Sequence, residues 1–72
     1  MNELPVGDRP INLTQVLKRV GWVDNGGQAK ALIAEGLVRV NGEVEFRKRR
    51  QMSVGDSVQL DIDEPPPPVH LV

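Results

Sequence analysis

The sequence predicts an α+β fold in which two N-terminal helices pack on a small, mainly antiparallel sheet. Three observations carry this expectation. Apolar residues recur at helical spacing in two consecutive stretches, Leu13 to Val20 and Ala29 to Ile33, separated by a short link. The period then changes to two at Leu37-Val38-Arg39-Val40 and again at Val58 to Ile62. Between the first alternating run and Glu43-Val44-Glu45-Phe46 lies Asn41-Gly42, the dipeptide best suited to a two-residue hairpin because both central residues of a type I′ turn need positive φ.

Each element follows in order. Residues 1–10 show no periodicity and contain Pro5, Gly7 and Pro10, so they are expected to form a flexible N-terminal segment. Ile11 begins a short strand. In the first helix Leu13, Val16, Leu17 and Val20 form one face and Gly21 stops it. Asn12 or Thr14 caps the start, and Asn12 has Gln15 three places on, the spacing of a capping box. After Trp22-Val23-Asp24 the second helix starts with Asn25 as cap and Gln28 three residues later, buries Ala29, Leu32 and Ile33, and ends at Gly36. In the hairpin Val38 and Val40 face inward and Arg39 outward. A turn at Ser53-Val54-Gly55-Asp56 leads to a strand with Val58, Leu60 and Ile62 inward. The domain is therefore drawn over residues 11–62 and an acidic, proline-rich tail over 63–72. Pro65 to Pro68 lack backbone N–H groups and favour an extended spacer. Val69, Leu71 and Val72 either dock on the domain or add a short edge strand. Removing residues 65–72 is expected to leave the function of the domain largely intact.

The 72 residues allow one domain, and a chain of this size buries only about 60% of its unfolded surface. With no cysteine and a single histidine, His70, neither a disulfide nor a metal site is expected, and no cofactor is implied. The N-terminus lacks the basic start and apolar stretch of a secretion signal, and no apolar run approaches the roughly 20 residues that cross a bilayer. The expectation is a cytoplasmic monomer without membrane contact. No nucleophile and base pair is evident, so no enzymatic activity is expected.

The net charge of -1 hides a marked asymmetry. All nine basic residues lie between Arg9 and Arg50, where only Asp24, Glu35, Glu43 and Glu45 are acidic, so this stretch carries +5. The flanks are wholly acidic. Such asymmetry points either to nucleic-acid contact or to a merely solvated surface.

The two helices, then Ile33-Ala34-Glu35-Gly36 running into Val38-Arg39-Val40-Asn41-Gly42, a basic stretch, and Val54-Gly55-Asp56, resemble the RNA-binding domain family named after small-subunit ribosomal protein S4, also called the alpha-L motif. The resemblance covers about residues 11–61, and without a catalytic domain the chain looks like the small stand-alone bacterial members. It implies a non-catalytic protein that binds structured RNA, ribosomal or transfer RNA, in association with the ribosome, in its assembly or quality control, or in RNA processing. Two other readings are a protein-interaction adaptor using the proline-rich tail and a detached RNA-targeting subunit of an RNA-modifying enzyme.

The residues expected to contact RNA are Arg39, Arg47, Lys48, Arg49 and Arg50, with Gln28, Lys30, Lys18 and Arg19 flanking them. Arginine suits this task because its planar fork bridges phosphate oxygens and stays charged. Four consecutive basic side chains cannot all be neutralised by nearby acids. Arg39 has an alternative in pairing with Glu43 or Glu45, and Lys18, Arg19 and Lys30 in plain helix surface. Where the family commonly has a serine-arginine pair before the second helix, this chain has Asn25 and Gly26, which shifts weight to Gln28, Lys30 and the arginine run. Gly26-Gly27 leaves the helix start open, either to a phosphate or as a simple turn. Trp22 and Phe46 are the only aromatics, too few for the paired stacking platforms of single-strand binders, so backbone recognition is favoured over base reading.

Overall fold

The structure, a computed structural model, describes residues 2–72. It is α+β with two helices and a mainly antiparallel sheet, as expected, but strands precede the helices. The elements are β1 (Glu3–Leu4), β2 (Ile11–Asn12), α1 (Leu13–Arg19), α2 (Gly26–Ala34), β3 (Val38–Val40), β4 (Glu43–Val44), β5 (Gln51–Met52), β6 (Ser57–Leu60) and β7 (Val69–Leu71). Five strands form one sheet in the order β1-β7-β6-β3-β4, and β2 and β5 form a separate pair. Only β1 and β7 run parallel.

Both helices start as their caps dictate. Asn12 and Gln15 form a full capping box, each side chain bonded to the other's backbone N–H at 2.9 Å. Asn25 Oδ1 accepts from Gln28 N–H at 2.9 Å, while Gln28 Oε1 accepts from Asp24 N–H rather than from the cap residue, at 2.6 Å. Leu13, Val16 and Leu17 on α1 and Ala29 and Ile33 on α2 are buried. Ala29, fully buried, lets the helices approach closely.

Alternation in the sheet is as read: Val38 and Val40 of β3 and Val58 and Leu60 of β6 are buried, with Arg39 and Gln59 opposite each other on the other face. Asn41 and Gly42 have φ of 53° and 87°, the left-handed values the hairpin requires. Asn41 also does something the hairpin alone would not demand. Its Oδ1 accepts from Ser57 N–H at 2.9 Å and its Nδ2 donates to Asp56 Oδ1 at 3.1 Å. Asp56 Oδ2 in turn accepts from Ser53 N–H at 2.9 Å. Burial pushes the Asp56 carboxyl up, but the bonds from Asn41 and Ser53 and the Arg50 charge outweigh it and hold it below the usual aspartate value. The Asn-Gly turn and the Gly-Asp turn, distant in sequence, are thus one hydrogen-bonded junction.

The largest differences from expectation lie at the chain ends. Of the segment expected to be flexible, residue 1 lies outside the described residues, but β1 pairs with β7 and both Leu4 and Val6 are buried. The tail does not trail away either. β7 sits between β6 and β1, with Val69 and Leu71 each 1% exposed. Val6 N–H donates to Val72 O and Val72 N–H to Leu4 O, so the two termini close the sheet together. The proline run is a spanning loop between β6 and β7, without ladder bonds because it has no N–H to give. Ile62 was expected inward and is instead 39% exposed, because β6 ends at Leu60 and the chain turns away. Among the described residues no helix is long and apolar enough to cross a membrane.

Candidate nucleic-acid interface

The basic run lies between β4 and β5 and is folded, not merely solvated. Arg50 N–H donates to Arg47 O at 3.1 Å, closing a turn that puts Lys48 and Arg49 at its corner. The loop's carbonyls fasten it to the start of α1. Leu13 N–H donates to Arg50 O at 3.0 Å, Thr14 N–H to Lys48 O at 3.3 Å, and Thr14 Oγ1 to Lys48 O at 2.8 Å. These are orphan donors of a helix N-terminus, and in satisfying them the loop acquires a fixed place.

Glu45 clamps the loop from the other side. It is the one polar residue buried among those described, 8% exposed, and its carboxylate accepts from Arg47 N–H, Nε and Nη2 and from Arg50 Nη1 at 2.8–3.2 Å. The Arg47 and Arg50 side-chain hydrogen bonds hold the Glu45 carboxyl down at about 2 against the desolvation that opposes them. Arg47 is raised above its ordinary value by the same partner. Because the folded carboxyl titrates below its unfolded value of 4.5, its contribution to stability is complete above that pH and is lost as pH falls from about 4.5 towards 2. Asp56 acts in the same direction. Glu45→Gln is expected to cost about 1–2 kcal/mol at pH 7, discounted because Arg47 is largely solvated, and to flatten the acid limb. Denaturant midpoints measured between pH 2 and 7 check both.

Arg47 and Arg50 are therefore paired, whereas Lys48 and Arg49, both exposed, make no ion pair among the described residues. Lys18 and Arg19 are exposed on α1 and Lys30 on α2. A side chain built at Gly26 would meet Thr14 Cγ2 at 3.9 Å, so the start of α2 lies beside the residue that holds the loop. Lys18 follows Thr14, and Lys30 follows Gly26, by four residues, one helical turn or about 6 Å along each axis. Thr14 thus links the loop to the start of α1 and lies beside the start of α2, with Lys18 and Lys30 one helical turn further along their helices.

Two of the expected residues stand apart. Arg39 points to the sheet face away from the core, where Nη2 and Nε bond Asp61 Oδ2 at 3.1 and 3.3 Å and Nη1 bonds Gly42 O. Its partner is a residue just past the neighbouring strand, neither Glu43 nor Glu45. Gln28 is occupied at the start of α2. Sequence reasoning missed Glu45 and Thr14 as the parts that shape the loop. One signal existed for Glu45: alternation puts it on the same face as Val38, where a carboxylate survives only with partners.

Comparison with known proteins identifies the family. The S4 domain family matches residues 4–65. YbcJ of Escherichia coli is 44% identical over 61 residues, covering 83% of this chain and 87% of the relative. Its solution structure, described as revealing an alpha-L motif involved in RNA binding, superposes with a TM-score of 0.73 at 38% identity, covering 100% of this chain and 87% of the other. A Bacillus subtilis protein named "probable ribosome maturation protein RlbA" is 35% identical over 60 residues, covering 83% of this chain and 84% of that one. The tyrosine–tRNA ligase of Bordetella pertussis is 36% identical over 58 residues, but these are only 14% of the enzyme. With the family match spanning most of the chain and relatives of the same small size sharing the fold, this protein belongs to the S4 domain family as a small member built on the alpha-L RNA-binding motif.

Proposed function

We propose that the protein is a non-catalytic binder of structured RNA, gripping the phosphate backbone with the corner formed by the 47–50 turn and the two helix faces beside it. The observation that carries this reading is the turn itself. Its backbone is bonded to α1 and its outer arginines are held by Glu45, so Lys48 and Arg49 are presented unpaired from a rigid support. A preformed cationic surface loses little entropy on meeting a polyanion. It also suits A-form RNA, whose deep major groove hides base edges and leaves phosphates and 2′-hydroxyls as the accessible signal. Lys18, Arg19 and Lys30 extend the surface along the helices. Arg39 and Gln28 contribute to the scaffold. The kinship with a protein named for ribosome maturation favours ribosomal RNA as the target and ribosome assembly as the setting.

The test is a titration of the purified protein with a structured ribosomal RNA fragment at several salt concentrations. About four phosphate contacts predict a log–log affinity slope of roughly -3 to -4. Absence of binding even at low salt would overturn the reading.

A further inference from the structure

The backbone grip leaves one exposed feature unexplained. Phe46 is 65% exposed, the most exposed large hydrophobic side chain among the described residues, and it immediately precedes the basic turn. Its ring lies near Gly36. The Cζ and Cε1 atoms lie 3.5 and 3.6 Å from where a side chain of Gly36 would begin, and Val44 Cγ1 lies 3.8 Å from the same point. Gly36, at φ +76° in the turn that ends α2, thus leaves open the place where a side chain would stand in van der Waals contact with the far end of the ring. Val44, itself 38% exposed, continues the apolar surface and pairs in register with Arg39 across the hairpin. Phe46 is therefore an exposed aromatic ring two residues before Lys48 and three before Arg49, the cations of the turn that make no ion pair among the described residues.

We propose that Phe46 is a stacking platform for an unpaired nucleobase, so that the protein prefers a helix interrupted by a bulge or loop to an uninterrupted one. The proposal rests on the phosphate grip described above and adds to it a determinant of which RNA is chosen. An exposed apolar ring followed closely by the unpaired Lys48 and Arg49 fits a nucleotide, which carries a flat apolar base and an anionic phosphate within one unit. With only two χ angles, the side chain has little entropy to lose on stacking. Stacking on an aromatic side chain tolerates any base, consistent with a site that offers few base-reading hydrogen-bond groups beside the ring. A base in an unbroken helix is stacked on its neighbours and cannot reach the ring, so discrimination arises without sequence reading.

The experiment compares two RNA hairpins of equal length, one fully paired and one with a single 2-aminopurine bulge, against the wild-type protein and three variants at fixed salt. Wild type is expected to prefer the bulged RNA and to quench its fluorophore. Phe46→Ala is expected to weaken binding of the bulged RNA by about 5- to 100-fold, with the paired RNA unchanged within twofold. Phe46→Leu keeps an apolar side chain but has no π face and is expected to behave like alanine. Phe46→Trp is expected to restore preference and quenching. Equal, salt-dependent binding of both RNAs by wild type would overturn the stacking proposal while leaving the phosphate grip standing. Binding of neither RNA at low salt would overturn both. Full activity of Phe46→Leu, or equal loss on both RNAs in Phe46→Ala with a lowered thermal midpoint, would make the ring a packing residue and overturn the proposal. An unchanged RNA preference in Phe46→Ala would overturn it too and turn attention to a protein partner.

Discussion

Replacing Lys48 and Arg49 together by alanine is expected to weaken RNA binding by roughly 60-fold at 0.1 M salt and to make the log–log salt slope shallower by about 1.8. The two figures are linked: two lost phosphate contacts remove about 0.9 each from the slope, and the electrostatic gain vanishes near 1 M salt. The fold should survive intact. The loop is attached through the carbonyls of Arg47, Lys48 and Arg50, atoms that the substitution leaves in place, and exposed side chains away from such contacts contribute within about 0.5 kcal/mol. Charge reversal at Arg47 or Arg50 would be a poorer probe. It would set a second carboxylate against buried Glu45 and confound loss of binding with loss of structure. Filter binding or anisotropy at four salt concentrations, with denaturant unfolding alongside, separates the two effects. An unchanged slope would move the phosphate contacts to another face.

Removing residues 65–72 is expected to unfold the chain, the opposite of what a tail would show. Val69 and Leu71 are each 1% exposed, and without β7 the strand β1 loses its only partner. The more graded substitution Leu71→Ala should cost about 2–5 kcal/mol through lost burial and the cavity left behind. A core of this size supplies only about 3–5 kcal/mol in all, so much of the Leu71→Ala protein should be unfolded at 25 °C. Urea titration followed by circular dichroism and Trp22 fluorescence measures both variants. A cooperative transition at the wild-type midpoint would show β7 to be dispensable. Any search for a partner of the proline run must therefore substitute Pro65 to Pro68 and keep β7.

The residues that bind and the residues that build divide differently from the way charge alone suggests. Arg39, Arg47 and Arg50 all look equivalent to Lys48 and Arg49 in the sequence, yet the first three hold carboxylates at 2.8–3.3 Å and shape the surface. Only the pair at the corner of the turn is left for phosphate without first breaking an ion pair. Short-range information could not show this for Arg39 or for the seat of the loop on α1, because Asp61 is 22 residues from Arg39 and Thr14 is 34 residues from Lys48.

What the sequence by itself determined is the local part of the protein. The capped helices, the Asn41-Gly42 hairpin, the alternation of Val38, Arg39 and Val40 and the turn at Gly55 all depend on propensities and periods confined to a few neighbouring residues. The membership in an RNA-binding family was legible too, since its signature is a series of such turns in order. Tertiary structure alone decided the rest. Residues 2–10 and 63–72 carry too few apolar residues to reveal a period; β7 becomes a strand by pairing with β6, and β1 by pairing with β7. The basic run was legible as charge but not as a shaped corner, because the start of α1 holds it through long-range hydrogen bonds and Glu45, although only two and five residues from Arg47 and Arg50, clamps it only once buried.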